Sequence, residues 1–78
     1  MLPMKPGDLV TITGHIHDSS PTAHGRISGP DAQRLDWVEI EKGTTGVIIN
    51  HDDSAFSSAI LLDDGRVVWF FIDDYISA

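Results

Sequence analysis

The sequence predicts an all-β fold: a small, closed or nearly closed barrel of five short strands in one domain spanning residues 1–78. Two observations carry this prediction. Asp64-Gly65 separates two apolar, β-rich runs within residues 59–72, and Asp-Gly tolerates the positive φ values that a tight two-residue turn requires. Short β-rich runs separated by turn residues also recur along the rest of the chain, which holds too few strands for a two-layer sandwich.

The first strand is predicted over residues 9–13, after the turn Pro6-Gly7-Asp8. Residues 14–35 show no sustained period, so we expect one long loop there, with a short strand at residues 25–28. Residues 36–41 alternate between polar and apolar, which predicts a half-exposed strand with Val38 and Ile40 pointing inward.

A turn over residues 42–46 leads to another apolar strand over residues 47–50, followed by a polar connection over residues 51–56. The hairpin around Asp64-Gly65 supplies the last two strands. Asp73-Asp74-Tyr75-Ile76 then predicts a single helical turn with acidic residues at its start.

The predicted hairpin is apolar on both faces. A two-residue turn places Asp63 opposite Arg66, and this charged pair marks the outer face. The inward-facing residues are then Ile60, Leu62, Val67, Trp69 and Phe71, and the outward-facing apolar residues are Leu61, Val68 and Phe70.

An apolar outer strip needs a cover, because one-sided antiparallel sheets alternate apolar and polar residues. Either the 14–35 loop folds back over the strip, or the strip is a protein–protein interface, most simply in a symmetric dimer. A strip left uncovered would favour aggregation. The candidate interface residues are Leu61, Val68, Phe70 and Trp37.

The chain is acidic, because it has five Lys and Arg residues and twelve Asp and Glu residues, which gives a net charge of −7. This charge disfavours direct binding to nucleic acid, because phosphate backbones are repelled. Solubility alone explains such a charge, and an acidic surface that mimics DNA or docks a basic partner is the alternative. No segment reaches the length of a membrane span and no signal-peptide run is present, so we expect a cytoplasmic protein.

Three histidines are weak candidates for a metal site. His15 and His17 share one side of an extended segment, and His24, Asp18 or the pair His51-Asp52 could add a third ligand. The alternative is that they are solvent-exposed loop histidines. The absence of cysteine excludes disulfides and thiolate sites.

No catalytic residues and no cofactor are predicted. The serines follow no nucleophile-elbow pattern, and the glycine-rich turn Gly43-Thr44-Thr45-Gly46 lacks the lysine and the helix of a phosphate-binding loop. We therefore expect a protein that is not an enzyme.

Several of these segments resemble SH3-like barrels with a KOW-type layout. Pro6-Gly7-Asp8-Leu9-Val10 resembles their opening turn, and Gly43-Thr44-Thr45-Gly46-Val47 resembles their G-x-x-G-x-V strand. Residues 61–67 with Trp69 are similar to their distal hairpin, and Asp73-Asp74-Tyr75-Ile76 to their closing 3-10 turn. The resemblance implies that residues 14–35 take the place of the RT loop.

The same layout resembles small proteins of bacteriophages and marine metagenomes. The chain departs from nucleic-acid-binding KOW domains, because the matching loops carry Thr44, Thr45, Asp52 and Asp53 in place of a basic cluster. It also lacks the aromatic and proline groove of peptide-binding SH3 domains. The resemblance therefore implies a fold and leaves the reaction and ligand open.

Together these observations predict a small acidic protein-interaction or accessory module that self-associates or docks another protein. A metal-binding or nucleic-acid-process accessory domain, including an acidic DNA mimic, is the alternative.

Overall fold

The computed structural model describes residues 5–15, 17, 19–27, 29 and 36–78. Within these residues the chain forms seven strands and two 3-10 turns. The strands are β1 (Leu9–Ile12), β2 (Thr22–Arg26), β3 (Trp37–Glu41), β4 (Thr45–Asp52), β5 (Ser57–Leu62), β6 (Val67–Phe71) and β7 (Tyr75–Ser77). The 3-10 turns span Asp53–Ala55 and Ile72–Asp74.

All the strands belong to one antiparallel sheet, in the order β3-β2-β6-β5-β4-β1-β7. The sheet curls into a half-barrel. The predicted all-β, barrel-like class is therefore confirmed. No helix among the described residues has the length and apolar character needed to cross a membrane.

The prediction of five strands is wrong, because β2 and β7 are additional. β2 lies inside the predicted long loop and overlaps the strand predicted at residues 25–28 only at Gly25 and Arg26. Both additional strands form through distant partners: β2 pairs with β3 and β6, and β7 pairs with β1. Residues 16, 18, 28 and 30–35 of the predicted loop lie outside the described residues.

The core lies on the concave side of the sheet. As predicted for β3, Ile40 is buried and Val38 is partly buried, while Glu39 and Glu41 are exposed. The buried cluster comprises Val10, Ile12, Ala23, Ile40, Ile48, Ile60, Leu62, Val68, Phe70 and Tyr75.

The β5–β6 hairpin has a three-residue loop where the sequence predicted a two-residue turn. Leu62 N–H donates to the Arg66 carbonyl at 2.8 Å, so the loop consists of Asp63, Asp64 and Gly65. Gly65 has a φ of 93°, which glycine adopts without strain. Asp64-Gly65 still forms the bend, but the register of the hairpin shifts by one residue.

The register shift reverses the predicted faces of β6. Val68 and Phe70 are buried, at 1% and 0% exposed, so their assignment to an outer strip is wrong. Val67 and Phe71 are 40% and 43% exposed on the outer face, and Trp69 is partly exposed. On β5 the predicted faces are confirmed: Ile60 and Leu62 are buried, and Leu61 is exposed.

Candidate functional site

Four apolar side chains form a straight row across the outer face of four neighbouring strands. Val67 on β6 lies opposite Leu61 on β5, Leu61 lies opposite Val47 on β4, and Val47 lies opposite Leu9 on β1. Directly opposite residues project from the same face, so the four side chains lie side by side. We call this set the apolar row.

The apolar row is accessible to solvent. Leu9 is 62% exposed, Val67 40% and Leu61 39%, and Val47 is partly exposed. With strands about 4.8 Å apart, the row is about 14 Å long. The row therefore offers an uncharged surface to a partner.

Of the predicted interface residues, Leu61 belongs to this surface. Trp37 is 43% exposed and lies on β3. β2 separates this strand from β6, where the apolar row ends. Val68 and Phe70 are core residues and cannot contact a partner without unfolding. Val67 takes the outward position that was predicted for Val68, because the hairpin loop is one residue longer.

The outer face of β5 and β6 carries no charged side chain of its own. Its outward residues are Ser57, Ala59, Leu61, Val67, Trp69 and Phe71. Arg26 reaches across this face from β2: its guanidinium lies 3.9 Å from the centre of the Phe71 ring, and Nη2 donates to Ser57 Oγ at 3.0 Å. Arg26 is 2% exposed, so its charge contributes little to the accessible surface.

A second constellation is a chain of four hydrogen-bonded side chains, which we call the relay. Asp53 Oδ1 lies 2.8 Å from His51 Nε2, and His51 Nδ1 lies 2.7 Å from Ser58 Oγ. Tyr75 donates its hydroxyl to the same Ser58 oxygen at 2.7 Å. The relay therefore joins the β4–β5 hairpin to β7.

The relay runs from solvent into the core. The side chain of Asp53 is 97% exposed and that of His51 is 23% exposed, whereas Ser58 is fully buried and Tyr75 is 4% exposed. Burial raises the pKa of the Tyr75 hydroxyl, and the hydrogen bond to Ser58 opposes this shift. Asp, His and Ser form hydrolase triads in other proteins, but the Ser58 oxygen has no exposed surface from which to attack a substrate.

The turn between β4 and β5 positions the solvent end of the relay. Asp52 Oδ1 accepts hydrogen bonds from the Ser54 hydroxyl at 2.7 Å and from the Ser54 and Ala55 amides at 3.0 and 3.3 Å. These bonds hold the pKa of Asp52 below its ordinary value, with the Ser54 hydroxyl as the largest cause. The cap orders the 3-10 turn that presents Asp53 to His51.

The relay is not predicted from the sequence. The sequence predicts a polar connection over residues 51–56 and offers His51 only as a candidate metal ligand. The signal lies in the pairing of β4 with β5, which sets His51 directly opposite Ser58. The link to Tyr75 depends on contacts 17 residues apart and has no local signature.

The predicted metal ligands do not converge within the described part of the chain. The His15 and His17 rings lie 5.5 Å apart, and His15 Nδ1 accepts a hydrogen bond from the His17 amide at 3.2 Å. His24 lies on β2, where Nε2 is 3.4 Å from Glu39 Oε1. No three His, Asp or Glu residues in ranges 5–15, 17, 19–27, 29 and 36–78 are grouped to hold a metal ion, and Asp18 lies outside these ranges.

An open cavity of about 660 Å³ lies beside the second 3-10 turn. His15 and His17 lie on its wall, together with Ile72, Ile76 and Tyr75. The two histidines therefore face an accessible space, and Tyr75 connects this space to the buried end of the relay.

Comparison with protein-family models, with curated proteins and with solved structures found no match to this chain. The resemblance to SH3-like barrels and to phage and marine proteins therefore stays a prediction. The function must be inferred from the surface and the polar groups of the molecule itself.

Proposed function

We propose that this protein is a protein-interaction module of SH3-like architecture that self-associates through the apolar row. The observation that carries the proposal is the straight alignment of Leu9, Val47, Leu61 and Val67 on an exposed sheet face. Exposed apolar groups that are contiguous on a sheet are a common mark of an interaction surface.

The order of elements supports the SH3-like part of the proposal. The turn Pro6-Gly7-Asp8 precedes β1, a tight hairpin joins β5 to β6, and the 3-10 turn Ile72–Asp74 leads into β7. β2 lies within the segment that the resemblance assigns to the RT loop. The β2–β3 pair adds to the sheet beside β6 and extends it beyond the five strands of the resemblance.

The geometry of the apolar row favours a second copy of the chain as the partner. A two-fold axis that lies in the interface plane, parallel to the strands and midway between Leu61 and Val47, would place each of these residues over the other in the partner. The same operation would place Val67 over Leu9. Residue i then contacts residue j and j contacts i, which is the requirement for a closed symmetric dimer.

The size of the surface and the net charge limit the strength of this dimer. Four partly exposed side chains cover less than the roughly 800 Å² per partner of a stable complex. Each copy also carries a charge of −7, so two copies repel one another. We therefore expect a weak dimer with a dissociation constant of about micromolar or higher.

A pair of lysine variants tests the proposal. Leu61→Lys places a charge at the centre of the apolar row and should weaken dimerisation at least tenfold, because two ammonium groups would be buried together. Phe56→Lys is the matched control: Phe56 is 65% exposed at the opposite end of β5, and its replacement changes the net charge by the same amount. The dissociation constants are measured by light scattering over a concentration series.

The wild type and Phe56→Lys should dimerise alike, while Leu61→Lys stays monomeric at concentrations where they associate. Circular dichroism establishes that all three proteins are folded. Equal dissociation constants for the three proteins would contradict the assignment of the apolar row. A wild type that is monomeric throughout would exclude a second copy as the partner.

A further inference from the structure

The open cavity beside the second 3-10 turn has a wall that backbone hydrogen bonds hold in place. The Thr13 and Gly14 amides, just after β1, donate to Asp74 O at 2.8 and 2.9 Å. The Ile72 amide donates to Phe56 O at 2.9 Å and so anchors the start of the turn. The volume of about 660 Å³ lies within the range of small-molecule sites, which is about 300–1,000 Å³.

The apolar part of the lining comes from two exposed isoleucines. Ile72 is 43% exposed and Ile76 is 55% exposed, and both line the cavity. A ligand with an aliphatic chain would cover these side chains, which is favourable because apolar surface leaves water. None of the four residues of the apolar row lines this cavity, so it is a second surface of the molecule.

The charge of the lining comes from Asp73. This carboxylate is exposed at the rim between the two isoleucines in sequence, and among the described residues the lining holds no Lys or Arg. The Lys42 side chain packs beside Gly14 but is not itself part of the lining. The cavity therefore offers apolar surface and one negative charge, on a chain whose net charge of −7 attracts cations.

His15 adds a hydrogen-bond donor to the lining. Its Nδ1 accepts the His17 amide at 3.2 Å, so in the neutral ring the hydrogen is on Nε2. Nε2 is therefore the ring atom that is left to donate to an acceptor oxygen of a ligand. Both histidines line the cavity and are exposed.

We propose that this cavity binds an aliphatic amine, with the alkyl chain against Ile72 and Ile76 and the ammonium group beside Asp73. An anion is disfavoured by the same carboxylate, and a neutral aliphatic ligand lacks the ion pair. A free alkylamine and the lysine side chain of a polypeptide share this chemistry. They differ in the backbone carbonyl of the polypeptide, to which His15 Nε2 can donate.

Three probes of equal chain length test the charge preference on the intact protein. Pentylammonium, 1-pentanol and pentanoate are titrated at about pH 8, where histidine side chains are ordinarily neutral, and the methyl resonances of Ile72 and Ile76 are followed by NMR. We expect pentylammonium to bind about two- to fivefold more tightly than pentanol, as an exposed ion pair allows. Pentanoate should bind more weakly than pentanol.

Two variants separate the ion pair from the apolar contact. Asp73→Asn should lower the affinity for pentylammonium to that for pentanol, whereas Asp63→Asn removes the same charge at the tip of the β5–β6 hairpin and should have little effect. Ile76→Thr keeps a β-branched residue on β7 and should weaken the binding of pentylammonium and pentanol alike. Circular dichroism establishes that each variant is folded.

Acetyl-lysine methylamide, which has a free ammonium group and two amide carbonyls, distinguishes the two sources of the amine. Tighter binding than pentylammonium, with the excess lost in His15→Leu, would identify a lysine side chain of a polypeptide, and weaker binding would identify a free amine. An affinity for pentylammonium that Asp73→Asn leaves unchanged would overturn the proposal. So would resonance shifts that spare Ile72 and Ile76, or equal affinities for all three pentyl probes.

Discussion

Asp64 closes the tip of the β5–β6 hairpin through both carboxylate oxygens. Oδ1 accepts the Arg66 amide at 2.9 Å, and Oδ2 accepts Arg66 Nε at 2.7 Å. The backbone bond, followed by the side-chain bond, holds the pKa of Asp64 below its ordinary value of 3.8. At the scale of one residue, this carboxylate fixes the loop that sets the register of the hairpin.

The pH dependence of the hairpin tip follows from the direction of this shift. Because the pKa of Asp64 is lowered in the folded protein, its stabilising effect is present above pH 3.8 and is lost as the pH falls through the lowered folded value. The Arg66 amide resonance should therefore titrate with a midpoint below 3.8. Asp64→Asn should abolish this step and Asp63→Asn should retain it; a midpoint above 3.8 would count against the geometry.

At the scale of the element, β6 shows what the sequence could establish and what it could not. The existence of the hairpin and its bend at Asp64-Gly65 follow from local propensity. The loop length does not, because Asp-Gly is compatible with a two-residue turn and, with Gly65 at its end, with a three-residue loop. The sequence of β6, Val-Val-Trp-Phe-Phe, is apolar throughout, so its pattern favours neither register.

Because β6 is apolar at every position, the prediction of an apolar outer surface holds although the predicted register of the hairpin is wrong. Whichever way β6 faces, its outer side is apolar, so an exposed apolar surface beside Leu61 is expected in either register. The shift changes its members from Val68 and Phe70 to Val67 and Phe71. By contrast, β2 and β7 could not be predicted from the local sequence, because each pairs with a strand that is distant along the chain.

Gly25 allows β2 to cross close to the core side chains of β6. A β-carbon at this position would overlap Val68 Cγ1 and would lie 3.1 Å from two atoms of the Phe70 ring. Gly25→Ala should therefore lower the free energy of unfolding by about 1–3 kcal/mol, as overpacked cores do. The control is His24→Ala on the exposed face of the same strand, expected within about 0.5 kcal/mol of the wild type. Urea denaturation measures both.

A Gly25→Ala variant as stable as the wild type would contradict the close approach of β2 and β6. The comparison is informative because the two positions are adjacent and belong to opposite faces of one strand. A loss of stability in both variants would instead indicate that β2 is sensitive to any substitution.

At the scale of the whole molecule, two features oppose each other. The apolar row favours association, because removing its side chains from water is favourable. The net charge of −7 on each copy opposes association, and salt screens this repulsion. Added salt should therefore strengthen a dimer of this chain, whereas it would weaken a complex between this acidic chain and a basic partner.

Sedimentation equilibrium of the wild-type protein at low and high salt tests the central claim most directly. We predict a reversible monomer–dimer equilibrium whose dissociation constant falls as sodium chloride is raised from about 0.05 to about 0.5 M, since the Debye length shortens over this range. A single monomer mass at all protein concentrations and both salt levels would contradict self-association through the apolar row.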